Sequence, residues 1–155
     1  MKSERTSQQQ HMQQYSETMN IFVNHLLCIY KCSETFKYFN VGERYINVLH
    51  TRIRLGCSKL NYHLHHNLKV TDSPLCDTCV NIIEDPHHFF FVCPRYNQIR
   101  VKLLSDLSRF YQNPRLSCLL YGDRDLSDQE NTIIFLAVQS FIKQSKRLQS
   151  NIQVT

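Results

Sequence analysis

Residues 75–100 read LCDTCVNIIEDPHHFFFVCPRYNQIR, and they carry the strongest chemical pattern in the chain. Cys76 and Cys79 stand two residues apart, His87 and His88 follow, and Cys93 closes the set. With His88 as the third ligand the spacing is C-x2-C-x8-H-x4-C. Three soft sulfurs and one imidazole suit a closed tetrahedral zinc site that leaves no position for water. The first pair sits in a tight turn after Pro74, and Pro86 is placed to begin a helix. The metal is therefore expected to clip a loop to a short helix. A C-x2-C pair alone is weak, because cysteines are often buried as small apolar side chains. The histidine and third cysteine downstream turn the balance toward Zn2+. The retroviral zinc knuckle shares the first and last spacings but has a shorter middle.

The 155 residues are most simply one domain with frayed ends, large enough to bury a core. Three glycines, four prolines and no tryptophan favour helices over a turn-rich sandwich. The expected fold class is mostly α, a small helical domain organised around the zinc knuckle. A formal charge of +5 permits a polyanionic partner without demanding one. Seven cysteines is an odd number, no signal peptide is visible, and the apolar run 19–30 is too short and too interrupted to span a bilayer. These features point to a reducing compartment, nucleus or cytoplasm, with no membrane partner.

Outward from the knuckle (74–100), residues 1–18 read as a polar tail, 19–149 as the helical zinc-binding domain and 150–155 as a second tail. Helical spacing is found over 19–32, where Cys28 and Cys32 read as buried or idle thiols. A second helix is expected over 43–55, with Tyr45, Val48, Leu49 and Ile53 as its apolar stripe and Gly56 as its stop. A third short helix carries Leu60, Leu64 and Leu68, together with His63, His65 and His66. A histidine-based metal nuclease there lacks any carboxylate or cysteine at ligand spacing. Pro94 opens a helix from Arg95 to about Tyr111, whose Arg95, Lys102 and Arg109 form either a solvated flank or a phosphate-tracking row. Residues 112–126 read as a connector. Ser127 and Glu130 form a capping box for a last helix reaching about Gln149.

With these residues laid out, the chain resembles the zinc-binding segment behind the reverse transcriptase domain of non-LTR retrotransposon polyproteins. The likeness rests on Arg54, Gly56, Ser58 and Leu60, then Cys76 and Cys79, the acidic pair Glu84 and Asp85, His88 with Cys93, and Pro94 to Tyr96 with Arg100. It covers roughly residues 45–110. His88, rather than His87, gives the x4 spacing of that motif.

The resemblance implies a detached segment that contacts RNA or DNA (the element transcript or its target site), with a reverse transcriptase domain as a further partner. The basic residues flanking the knuckle would make the contact: Arg52, Arg54, Lys59, Arg95, Arg100 and Lys102. The catalytic residues of the parent polyprotein are missing. No paired carboxylates suited to two-metal nucleotidyl transfer are present, and Asp123 and Asp125 read as surface charge around Arg124. The chain is expected to be no enzyme. The alternative is a zinc-stabilised protein–protein docking module for a polymerase or another partner.

Overall fold

The computed structural model describes residues 36–149. The helix expected over 19–32, with Cys28 and Cys32, and both expected tails lie outside the described residues. Among the described residues four α-helices make up the frame: α1 (Arg44–Arg54), α2 (Asn97–Leu107), α3 (Leu116–Tyr121) and α4 (Asp128–Ser145). A 3-10 turn, Lys37–Asn40, precedes α1, and two π-helical turns, His63–Asn67 and His88–Val92, lie between α1 and α2. Among the described residues the only β pairing is one isolated antiparallel bridge between Leu75 and Ile83. The fold is mostly α, as expected.

The last helix is the axle. Its N-terminus is fixed by the capping box: Ser127 Oγ accepts from the Glu130 amide at 3.3 Å, and Glu130 accepts from the Ser127 amide at 2.8 Å. Ile134, Phe135, Val138, Phe141 and Ile142 are each at most 1% exposed. They pack α4 against α1, α2, α3 and the 3-10 turn. Phe135 meets Tyr38, Phe39 and His50, while Phe141 meets Phe89, Phe90 and Tyr96 at 5.3–6.1 Å between ring centres. One helix thus holds the α1 half of the core with one aromatic and the knuckle half with another.

Helix α1 ends where glycine permits it. Gly56 adopts φ +69°, the Gly56 amide donates to Ile53 C=O at 3.2 Å, and the Cys57 amide donates to Arg52 C=O at 2.9 Å. This pair of bonds is a Schellman motif, which needs a left-handed residue at that position. The buried face is rotated from the expected stripe: Ile46, Leu49, His50, Ile53 and Arg54 face inward, and Tyr45 and Val48 face solvent. A histidine and an arginine occupy core positions that apolar periodicity alone assigns elsewhere.

Three boundaries also differ. A 3-10 turn, Pro94–Tyr96, precedes α2, which stops at Leu107. The expected connector contains α3, a helix too short to show a period, with Leu116, Cys118, Leu119, Leu120 and Tyr121 all buried. Helix α4 stops at Ser145 because Lys146 is left-handed, with φ +55°.

Two buried histidines make the domain sensitive to acid. The His50 Nε2–H donates to Leu119 C=O at 2.9 Å, and burial holds this imidazole well below its ordinary range. His63 shares a 2.8 Å hydrogen bond with Ser58 Oγ, and burial lowers its pKa to about 4. An unfolded histidine takes up its proton near pH 6.5, so below that pH the unfolded chain binds more protons than the folded one. Stability should be complete above pH 6.5 and fall as the pH drops toward 4, with His63 alone contributing about 3 kcal/mol at most. Denaturant midpoints measured across that window with excess zinc should show the decline. A His50→Gln variant, whose amide can still reach the Leu119 carbonyl, should flatten it; a pH-independent parent would show that these imidazoles are not held neutral.

Candidate metal centre

The chain brings Cys76, Cys79, His88 and Cys93 together, with their ligand atoms all within 4.8 Å of one another. The Cys93 sulfur lies 4.0 Å from that of Cys76 and 3.9 Å from that of Cys79. Sulfurs at about 2.3 Å from a tetrahedral zinc stand about 3.8 Å apart, so the spacing fits that metal. Cys76, His88 and Cys93 are buried and Cys79 is half-buried, as a structural site with no open position requires. The donor set and its geometry are those of a single structural Zn2+ site. His87 is not among the four; its ring lies 5.4 Å from Phe91.

Each half of the site is built locally. In the first, the Cys76 amide donates to Ile82 C=O at 2.8 Å and the Val80 amide to Cys76 C=O at 2.9 Å. These bonds bend the chain into a hairpin beside the Leu75–Ile83 bridge. Val80 takes φ +57° there and is 66% exposed. A β-branched residue in this left-handed region is strained, by about 1–2 kcal/mol.

The second half starts with Asp85, whose carboxylate accepts from the His88 amide at 2.7 Å and whose carbonyl accepts from the Phe89 amide. Pro86 follows in the first helical position, where no N–H is needed. The turn then widens: the Cys93 amide donates to His88 C=O at 2.8 Å, five residues back. On an α-helix, residues five apart point about 140° away from each other. The π-turn brings His88 and Cys93 round to the same side, which is how a His-x4-Cys spacing closes on one ion.

Arg100 locks this turn from below. Its guanidinium donates to Phe90 C=O at 2.8 Å, to Cys93 C=O at 2.6 Å and to Asn97. Glu84 locks the other side. It is 3% exposed, receives Arg147 through both oxygens at 2.8 and 2.6 Å, and also accepts from the Asn61 amide at 2.9 Å. Arg147 also donates to Asn61 Oδ1, whose Nδ2 donates to Leu75 C=O. The segment just after α4, the lead-in loop and the hairpin are thereby tied through one ion pair whose carboxylate is buried. Sequence reasoning missed Arg147 in this role; its signal was only an acidic pair inside the knuckle with no local cation.

The six flanking basic residues divide. Arg52, Arg95 and Lys102 are exposed and Lys59 is half-buried, whereas Arg54 and Arg100 are 7% and 8% exposed. Arg54 donates to Thr51 Oγ1 and Leu120 C=O, with its guanidinium 4.6 Å from the Phe39 ring centre. Burial lowers its pKa to about 10, so it remains charged at neutral pH. Lys102 pairs with Asp106 at 3.2 Å. The three clustered histidines do not form a second site: His63 bonds to Ser58, the His65 ring to Thr71 C=O, and His66 stacks on Tyr62. Asp123 is half-buried and accepts from Tyr111, so it organises its loop rather than serving as surface charge.

No protein-family model, curated protein or solved structure matches this chain. What is present is a small helical module with a Cys3His zinc cluster. Its described residues contain no sheet, which argues against a polymerase or RNase H architecture in them. No helix among them is long and apolar enough to cross a membrane.

Two outcomes test the site. His88→Ala should release zinc and His87→Ala should retain it, read by metal analysis of purified protein; the reverse would move the ligand by one residue. Arg147→Ala leaves a buried carboxylate without its cation and should cost about 3 kcal/mol or more in unfolding free energy. A loss below about 1 kcal/mol in denaturant titration would mean that water reaches Glu84.

Proposed function

We propose that this chain is a zinc-structured module that contacts nucleic acid, a detached relative of the segment that follows the reverse transcriptase domain in non-LTR retrotransposons. The observation that carries the reading is the Cys3His cluster, with the lead-in loop joined to its hairpin through the bonds of Asn61 to Glu84 and Leu75. Arg54 is buried against Phe39 and Phe135, Gly56 closes α1, Ser58 bonds His63, and Leu60 is fully buried. The motif residues outside the ligand set thus have structural duties in the helix end and core that precede the knuckle. Arg52, Lys59, Arg95 and Lys102 supply the phosphate contacts, and Arg54 and Arg100 support them from within.

A zinc ion with three thiolates carries net negative charge, so nearby cations partly neutralise it and affinity for a short strand is modest. A second reading, a docking module for a polymerase or another protein, is favoured by the groove between α2 and α4. Ile133 and Leu136 line it, and both are partly exposed.

Binding of short RNA and single-stranded DNA should weaken with salt. Removing Arg95 and Lys102 together should lower affinity similarly across sequences and flatten the salt slope by about one to two units. A double variant that binds as the parent does would reject this basic row. No binding by the parent at low salt would transfer the case to the docking reading.

A further inference from the structure

Four separate segments meet at a polar notch beside the knuckle. Lys59 comes from the lead-in loop, Asp77 from the C-x2-C turn, Arg95 from the 3-10 turn after Cys93, and Lys146, Arg147 and Gln149 from the end of α4. All six lining residues are charged or polar, around a cleft of about 400 Å³. That composition suits a solvated anion and not an apolar ligand. We propose that this notch is a phosphate seat, in which Lys59, Arg95 and Lys146 grip one phosphodiester of a bound strand. The assignment rests on the nucleic-acid reading above and gives it a location.

The charges have distinct duties. Arg147 is committed to Glu84 at 2.6–2.8 Å and forms a fixed wall. One Asp77 oxygen accepts from Asn61 at 3.3 Å, which holds the acid to its own side. Arg95 is exposed, with its guanidinium carbon 5.9 Å from the Tyr96 ring centre. Lys146 is the telling residue. It is exposed, its side chain makes no hydrogen bond or ion pair among the described residues, and it occupies the left-handed position, φ +55°, where a helix usually places glycine. A lysine there accepts backbone strain and lines the notch with a basic side chain that glycine would lack. A basic side chain at a helix C-terminus also complements the macrodipole, but Lys143 one turn earlier already does so.

Lys59→Gln with Lys146→Gly removes two notch charges, and the glycine suits the left-handed backbone. Lys37→Gln with Lys69→Gly is the matched control, because Lys69 is also left-handed, at φ +56°, and neither residue lines the notch. Binding of a 5′-hydroxyl single-stranded oligonucleotide should fall about tenfold for the notch pair at low salt, with the salt slope flatter by about two units. The control pair should lose about threefold or less, the general effect of net charge. Equal losses in the two pairs, with the parent binding, would overturn the notch alone. No binding by the parent would overturn the nucleic-acid reading and the notch with it. A 5′-phosphorylated oligonucleotide should bind as the 5′-hydroxyl one does; a tenfold preference for it would mean that the seat takes a terminal phosphate and would overturn the phosphodiester assignment.

Discussion

The Cys93 sulfur sits within 4.0 Å of two others in a site where Cys79 alone is half-buried and the rest are buried, and this crowding governs the architecture around it. Two thiolates at that distance repel by about 4 kcal/mol even at an effective dielectric constant of 20. Without a cation the group stays protonated: burial pushes the Cys79 thiol up to about 12, and burial raises that of Cys93 as well. A divalent ion outweighs this repulsion and holds the sulfurs as thiolates, and the binding energy of a structural zinc becomes folding energy. The Asp85 cap, the π-turn and the Arg100 clamp position the donors. Phe89 and Phe90, packed on Phe141, carry that order into α4.

Burial of charge follows two different rules in this small domain. Glu84 and Arg147 are a mutually satisfied pair with amide help, so each is tolerated because the other is present. Arg54 has no carboxylate among the described residues; a carbonyl, a hydroxyl and two aromatic faces serve instead. Guanidinium is weakly hydrated and planar, which makes that environment acceptable where an ammonium would not be. The net positive charge of the chain therefore overstates what its surface presents near the knuckle.

The metal cluster was legible because ligand chemistry restricts residue type and spacing together, and Pro86, Gly56 and the Ser127–Glu130 pair marked their elements through backbone constraints that act locally. The rest depended on tertiary partners. The α1 stripe was misread because His50 and Arg54 enter the core only when Leu119 and Leu120 present carbonyls to them. Helix α3 left no amphipathic trace, since all but one of its residues are buried. The inward turn of Arg100 follows from carbonyls freed by the π-turn, which spacing alone does not reveal. The link between Glu84 and Arg147 spans 63 positions, beyond the reach of any local pattern.

Val80 gives the knuckle an unequal hinge. The hairpin that carries Cys76 and Cys79 is held by one isolated bridge, a few turn bonds and the tie from Asn61 to Leu75, and it contains an exposed valine in a conformation its own sterics oppose. The half that carries His88 and Cys93 is anchored by buried aromatics and by Arg100. The hairpin is thus the half of the knuckle that carries backbone strain, and it carries it at a residue that is 66% exposed. Strain and anchorage are therefore divided unequally between the two ends of one site, a taut flap on one side and a standing post on the other.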